Sequence, residues 1–281
     1  MREHPYFRLF WVSAHVVLAA AVILLGAGVV WEYSTRRYLQ GFADAVVPLS
    51  DNAEHKVEAI LAWMEHGPAR RTTNHAGELA QRDPRITLNY AELLKVCGTA
   101  TNAFVNLATS SGLDARRLLL LSPDGRSKHV VAEVLIQGQW AVADPSYHRL
   151  FRDAQGKLVT REQMKAPEIW RQATGVVPNY PEIYTYERTV HVRLSRIPVV
   201  GKYLRPMLNR IVPGWEEAFD WTLLVERESL AFTFLAASLV LLALVVRTAL
   251  SWYGRRRLRI DRVRLRDQLR QAGKVLLQQS R

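Results

Sequence analysis

The chain contains one cysteine, Cys97, among its 281 residues, so it cannot form an intrachain disulfide. It also lacks a Gly-x-Ser-x-Gly sequence, a phosphate-binding loop and a His-Glu-x-x-His or other paired-histidine spacing. Neither a low-complexity tract nor an internal repeat is present. These absences predict no metal and no cofactor, and they leave Cys97 as either a buried apolar side chain or a reactive thiol.

Acidic residues are scarce in one part of the chain only. The net charge is +12, yet residues 32–228 hold 25 lysines and arginines against 23 acidic residues, a balance of +2. Residues 247–281 hold 11 against 2, a balance of +9. A nucleic-acid-binding protein more often carries its basic residues on a folded face. The basic tail instead predicts a topology signal and attraction to anionic lipid, with no nucleic-acid partner.

Two long apolar runs, residues 9–31 and 229–246, carry no formal charge and are long enough to span a bilayer. Trp11 and Trp31 lie near the ends of the first run, as interfacial aromatic residues do. No Ala-x-Ala site follows that run closely, so we expect a retained anchor rather than a cleaved signal peptide. Arg247 borders the second run, and we expect its side chain to snorkel toward the interface.

Cationic residues flank the two runs on the sides away from the central loop. The positive-inside rule therefore places both chain ends in the cytoplasm and the loop in the periplasm, with the inner membrane as the location. The predicted organisation is a cytoplasmic N-terminus (1–8), a first transmembrane helix (9–31), a folded domain (32–155), an extracytoplasmic extension (156–228), a second transmembrane helix (229–246) and a basic cytoplasmic tail (247–281).

Hydrophobic spacing predicts two helices in the folded domain. One covers residues 54–65, and a buried helix begins at Cys97 and ends near residue 110, although one continuous helix over 89–110 also fits. In the shorter version Cys97 lies at a helix N-terminus, where the helix dipole favours a thiolate. Asn89 and Glu92 have the spacing of a capping box before it.

Strand-like runs cover residues 117–121, 129–136 and 139–143, and the last two are separated by a two-residue loop. A hairpin with that loop pairs the last residue of one strand with the first residue of the next. His129 and Asp144 then share a face of the sheet as diagonal neighbours, within side-chain reach. A register slip of one residue would place them on opposite faces.

The sequence signals for secondary structure are weaker after the hairpin. Thr160 and Gln163 predict a capped helix start, and residues 183–194 have the composition of a strand. Residues 197–212 fit an amphipathic helix that either covers the domain or lies on the membrane surface. From residue 258 the tail has an apolar helical face, for which a coiled coil, a lipid-surface helix and a solvated helix all stay open.

Cysteine, histidine and aspartate in this order can perform nucleophilic catalysis. The Cys97 thiolate would attack, His129 would take and return the proton, and Asp144 would set the imidazole tautomer. An oxyanion donor is also needed. The Cys97 backbone N–H is the first candidate, while Asn89 and Tyr90 are better explained as cap or packing residues.

Two stretches of the chain resemble the transglutaminase-like superfamily over about residues 54–147. The first resembles its catalytic-cysteine helix, and the second resembles its histidine and aspartate strands. The matching residues are Val96-Cys97-Gly98-Thr99-Ala100, Ala103-Phe104 and Ser111-Gly112-Leu113-Asp114-Ala115-Arg116, then His129-Val130-Val131-Ala132-Glu133-Val134, Gly138-Gln139-Trp140 and Asp144-Pro145.

The resemblance implies an α+β, papain-like core, with a catalytic helix packed on an antiparallel sheet and the triad Cys97, His129 and Asp144. It implies acyl transfer or hydrolysis of a protein or peptide-like amide. Lys95-Val96 before the cysteine and Val131 after the histidine differ from the usual family pattern, so the substrate class stays open. The alternative is a non-catalytic binding component of an envelope or polysaccharide-export assembly. Membrane lipid is an expected partner, and envelope proteins are expected to contact the basic tail.

Overall fold

The computed structural model describes residues 5–49, 52–67, 82–191, 206–207, 209–213 and 221–260. Its contacts divide the chain into two compact units, Met1–Glu32 with Phe232–Arg281, and Tyr33–Ala231. The helices are α1 (Pro5–Val46), α2 (Ala53–His66), α3 (Pro84–Thr87), α4 (Cys97–Ser110), α5 (Pro167–Thr174), α6 (Thr222–Glu226) and α7 (Glu228–Arg256). The strands are β1 (Ala115–Leu121), β2 (Ser127–Ile136), β3 (Gln139–Asp144), β4 (Arg149–Leu150) and β5 (Thr189–Val190).

The first unit contains the N-terminal part of α1 and most of α7, two helices that are long and apolar enough to cross a membrane. Their most apolar windows are only 11% and 17% buried, which is unlike the core helix of a soluble protein. Many large apolar side chains of these helices are exposed, although Phe7 and Trp11 are buried, and four alanines are buried: Ala14, Ala21, Ala236 and Ala243. Small residues at a helix contact allow the two backbones to approach closely.

A polar contact also joins α1 to α7. Arg247 Nε donates a hydrogen bond to His15 Nε2 over 3.3 Å, and His15 Nδ1 lies 2.8 Å from the Trp11 carbonyl oxygen. These partners assign the proton of a neutral His15 to Nδ1. Arg247 therefore forms a hydrogen bond between the two helices. The predicted snorkelling of its side chain toward the membrane interface stays a prediction.

The second unit is built on a five-stranded antiparallel sheet with strand order β4-β3-β2-β1-β5. Helices α2 and α4 pack on one face through the cluster that includes Ile60, Phe104 and Val134. The chain that follows β4 covers the other face, where Phe151 and Tyr186 are buried. The predicted α+β class is confirmed, and the likeness to a papain-like core stays a prediction. Residues before and after position 155 belong to this one unit.

The β2–β3 hairpin has the predicted register. Ile136 pairs with Gln139 and Ala132 pairs with Ala143. Gln137 and Gly138 form the two-residue turn with φ of 51° and 81°, the left-handed conformations that a type I′ turn requires. Because this turn matches the twist of the strands, the loop length fixes which residues lie opposite each other.

Helix α4 begins at Cys97, and the continuous helix over residues 89–110 is wrong. Val96 is extended, with φ −92° and ψ 124°, and it separates α4 from a short 3-10 turn at Leu93–Lys95. Cys97 therefore occupies the first helical position. The predicted helix over 54–65 is also confirmed as α2, where the Asn52 side chain caps the first turn.

The Asn89–Glu92 capping box is wrong, because Asn89 Nδ2 donates instead to the Tyr38 hydroxyl over 2.7 Å and Glu92 makes no cap bond. The capping box of Thr160 and Gln163 is confirmed by reciprocal side-chain to backbone bonds.

Of the strand predicted over residues 183–194, the described part of the chain confirms Thr189–Val190, which pair with β1. Arg188 extends this contact, because its carbonyl oxygen accepts from the Leu121 backbone N–H over 2.8 Å, whereas the Ile183 carbonyl oxygen accepts from Lys128 Nζ over 2.9 Å. Most of the predicted helix over 197–212, and the tail after residue 260, lie outside the described residues.

Candidate active site

The side chains of His129 and Asp144 meet on one face of the sheet. His129 Nε2 lies 2.6 Å from Asp144 Oδ2, and the two residues are 2% and 0% exposed. They lie on β2 and at the end of β3, so the confirmed hairpin register brings them together. A buried carboxylate at this distance holds the imidazole in one orientation and favours its protonated form.

Asp144 is held by more than the histidine. Its Oδ1 accepts hydrogen bonds from the Ser146 backbone N–H over 3.1 Å and the Ser146 hydroxyl over 2.7 Å. Its Oδ2 accepts a second bond from the Tyr180 hydroxyl over 3.0 Å. Four bonds satisfy a carboxylate that has no access to water, which is the condition for burying an ionised group.

The Cys97 thiol lies beside the same imidazole. Burial by itself would raise the pKa of Cys97, but the neighbouring His129 lowers it, with help from the backbone N–H groups of Val130 and Gly98. The net effect is a pKa below the ordinary thiol value. His129 Nε2 is occupied by Asp144, which leaves Nδ1 for the thiol; Nδ1 is buried and has no aligned hydrogen bond among the described residues. Loose geometry of this kind is common before substrate binds.

The pKa of His129 moves in the opposite direction. Burial would lower it, but the hydrogen bond with Asp144 and the negative charges of Asp144 and Cys97 raise it to about 9. A thiol with a lowered pKa beside a histidine with a raised pKa favours the thiolate–imidazolium pair near neutral pH. The structure therefore brings the three predicted residues together, with His129 between the Cys97 thiol and the Asp144 carboxylate.

Three tyrosines surround the imidazole, and sequence reasoning missed all of them. The Tyr184 ring stacks parallel on His129 with centroids 4.0 Å apart, while Tyr147 and Tyr180 approach it edge-on at 6.1 and 6.4 Å. Burial raises the pKa of each phenol, and the negative charge of Asp144 raises it further, so the hydroxyls stay protonated donors. Residues 180 and 184 lie in an irregular loop, where no periodicity indicates which side chains face the site.

The weaker candidates lie elsewhere. Asn89 is bonded to Tyr38 and the Arg85 carbonyl, so it is not an oxyanion donor. His66 pairs with Glu65 at the exposed end of α2, and His75 lies outside the described residues. His148 lines a cavity of about 880 Å³ beside α2 and α5, whose lining does not include the three candidate catalytic residues.

A second buried charge cluster lies on the same sheet face. Glu133 accepts from Arg116 Nε over 3.0 Å and from His191 Nε2 over 2.8 Å, and the Arg116 guanidinium lies 3.8 Å over the Trp140 ring. Burial would raise the pKa of Glu133, but the His191 hydrogen bond and the Arg116 charge lower it. Arg116, the last residue of the Ser111–Arg116 stretch that resembles the family, is therefore held on the sheet by a buried carboxylate.

No protein-family model, curated protein or solved structure matches this chain significantly.

Proposed function

We propose that this chain is a membrane-tethered cysteine enzyme of transglutaminase-like, papain-like fold that performs acyl transfer or amide hydrolysis. The observation that carries the proposal is the buried contact of His129 Nε2 with Asp144 Oδ2 at 2.6 Å, which leaves Nδ1 as the ring nitrogen available to the Cys97 thiol. Cys97 is the first residue of α4, so the positive end of the helix dipole supports its negative charge.

In the first half of the reaction, the Cys97 thiolate attacks the carbonyl carbon of an amide and a C–S bond forms. The tetrahedral intermediate collapses with cleavage of the C–N bond. His129 gives its proton to the departing amine, which leaves the acyl group on sulfur as a thioester. Asp144 stays ionised and holds the imidazole in orientation throughout.

In the second half, water or an amine enters the site. His129 takes a proton from the incoming nucleophile as it attacks the thioester carbonyl, and the C–S bond breaks. The product is a carboxylic acid or a new amide, and the thiolate–imidazolium pair is restored. The partition between the two products depends on which nucleophile reaches the thioester.

The proposed location is the inner membrane, with the catalytic unit in the periplasm. Helices α1 and α7 are the proposed anchors, and the arginines in the last turn of α7 favour a cytoplasmic C-terminus. The predicted substrate is therefore a protein or peptide-like amide within reach of the outer surface of that membrane.

A thiol-reactive amide-mimic probe tests the proposal directly. We expect full-length protein in detergent to form a stable 1:1 adduct at Cys97, with reaction abolished in Cys97→Ala and strongly slowed in His129→Ala. A probe of the same electrophile without the amide portion should react more slowly. Equal, slow labelling by both probes would favour the alternative, a non-catalytic binding component that keeps the fold.

A further inference from the structure

A loop after α5 lies directly over the catalytic histidine. Its Tyr184 ring is parallel to the His129 imidazole, with an interplanar angle of 0° and centroids 4.0 Å apart. The stack covers one face of a ring that is 2% exposed. The π-face of a phenol is negative, so this position attracts a positively charged imidazolium more than a neutral imidazole.

The loop is held in place from two directions. Lys128, the residue before His129, donates through Nζ to the Ile183 carbonyl oxygen over 2.9 Å. Trp170 Nε1 on α5 donates to the Tyr184 carbonyl oxygen over 3.0 Å. These bonds fix the backbone on both sides of the Tyr184 side chain, so the stacking geometry is set by the fold.

The same loop also contacts Asp144, the carboxylate partner of His129. The Tyr180 hydroxyl donates to Asp144 Oδ2 over 3.0 Å, and this is the oxygen that His129 Nε2 also contacts. The Tyr180 ring is nearly perpendicular to the Tyr184 ring, at 83°. One loop therefore touches the face of the imidazole with one tyrosine and its carboxylate partner with another.

We propose that Tyr184 and Tyr180 are positioning residues that affect the His129 proton in opposite directions. Tyr184 stabilises the protonated imidazolium. Tyr180 weakens the attraction between Asp144 and that imidazolium, because its hydroxyl donates to the same carboxylate oxygen. The inference rests on the proposed function, because it concerns the proton that His129 delivers to the leaving group. It also makes the region after residue 155 part of the active centre rather than an appended extension.

The opposite signs follow from the contacts. Loss of the Tyr184 ring removes an attraction for the positive ring, so the imidazolium should lose its proton at lower pH and the thiolate should form less readily. Without the Tyr180 hydroxyl, Asp144 Oδ2 keeps only its hydrogen bond with His129 and interacts with the imidazolium more strongly. The imidazolium should then keep its proton to higher pH.

The rate of Cys97 alkylation in the full-length protein measures the effects of both tyrosines, because Cys97 is the only cysteine in the chain. Iodoacetate is anionic and iodoacetamide is neutral, so their rate ratio reports the positive charge beside the thiolate. For the wild type we expect a bell-shaped iodoacetate profile, with an acid limb where the thiolate forms and an alkaline limb near pH 9, where His129 loses its proton.

Four variants separate the roles. Tyr184→Leu should move the alkaline limb to lower pH and slow acid-limb alkylation roughly three- to tenfold, while Tyr184→Phe should keep the wild-type profile because it keeps the ring. Tyr180→Phe should move the alkaline limb to higher pH. Tyr38→Phe is the matched control: its hydroxyl accepts a hydrogen bond from Asn89 rather than bonding to His129 or Asp144, so its profile should not change.

Alkaline limbs that stay at the wild-type pH in both Tyr184→Leu and Tyr180→Phe would overturn the inference while leaving the proposed function intact. A shift of both limbs in the same direction would overturn it equally. If Tyr184→Leu fails to fold, Tyr180→Phe, which removes one hydroxyl, still decides by the direction of its shift. A wild-type profile with no alkaline limb and a slow thiol would overturn the proposed function and the inference together.

Discussion

His129 Nε2 and Asp144 Oδ2 lie 2.6 Å apart although the residues are 15 positions apart in sequence. The two-residue turn at Gln137-Gly138 produces this contact, because it sets the pairing of β2 with β3. A carboxylate and an imidazole brought together without water form a strong, oriented pair. Its effect on the neighbouring thiol is the physical basis of the proposed enzyme.

The stability of the protein should depend on the proton of His129. Its pKa is raised from 6.5 to about 9 in the folded chain, so its contribution is fully present below about pH 6.5 and is lost as pH rises through about 9. We therefore expect the Tm difference between wild type and His129→Ala to shrink between those values. Thermal unfolding in detergent at about pH 6, 7.5 and 9 measures it, and a constant difference would contradict the assignment.

A buried ion pair joins the segment before α7 to the sheet. Arg117 and Glu226 form this pair at 14% and 4% side-chain exposure, and Glu226 also accepts from Asn102 on α4. Glu226→Ala should lower the free energy of unfolding by about 3 kcal/mol, because it removes one partner of a buried pair. Chemical denaturation in detergent measures the change.

Glu58→Ala is the matched control for that variant. Glu58 pairs with Arg152 at 49% side-chain exposure, so its removal should cost less than about 1 kcal/mol. Equal losses in the two variants would show that the Glu226 network does not stabilise the fold in the way we describe.

The two apolar helices should resist a larger side chain at Gly28 but not at Gly26. A Cβ at Gly28 would lie 2.9 Å from Thr233 Oγ1 and 3.2 Å from Thr233 Cα, whereas nothing lies within 4 Å of a Cβ at Gly26. Gly28→Val should weaken the helix pair by about 1–3 kcal/mol.

Oxidative cross-linking measures this pairing in a Cys97→Ser background. Cysteines are placed at Trp31 and Phe232, whose rings are 6.0 Å apart. We expect less cross-linked product in Gly28→Val and an unchanged yield in Gly26→Val. A yield that is the same in both would mean that the helices do not pack at Gly28.

Reporter fusions test the membrane topology. Alkaline phosphatase, which folds only outside the cytoplasm, should be active when fused near Ala154 and inactive when fused after Arg281, because the cluster after α7 resists translocation. A cytoplasmic fluorescent reporter should give the reverse pattern. An active phosphatase at the C-terminus would reject the two-span arrangement with both ends inside.

Local patterns in the sequence predict much of the site. Helical spacing indicates α4, and the loop length between two strands is enough to predict that His129 and Asp144 share a face. The start of α4 at Cys97 is harder to predict, because a continuous helix over residues 89–110 fits the same apolar spacing. The extended conformation of Val96 separates α4 from the 3-10 turn before it.

Several contacts that the sequence does not predict join distant segments. Asn89 has capping-box spacing but bonds Tyr38, 51 residues away. Tyr180 reaches Asp144 across 36 residues, and Asn102 reaches Glu226 across 124. Side chains in irregular loops carry no period that assigns them a face, so the tyrosines over His129 are visible only in the folded structure.

The reactivity of the lone thiol tests the central claim most directly. If His129 holds Cys97 as a thiolate, iodoacetamide should alkylate wild-type protein rapidly at pH 6–7, well below the ordinary thiol pKa of about 8.5. His129→Ala should slow the reaction at least tenfold, and Asp144→Asn should slow it less, because the base remains while its tautomer and orientation are disturbed. A slow thiol that titrates near its ordinary pKa and ignores both substitutions would contradict the catalytic assignment, even with the three side chains in place.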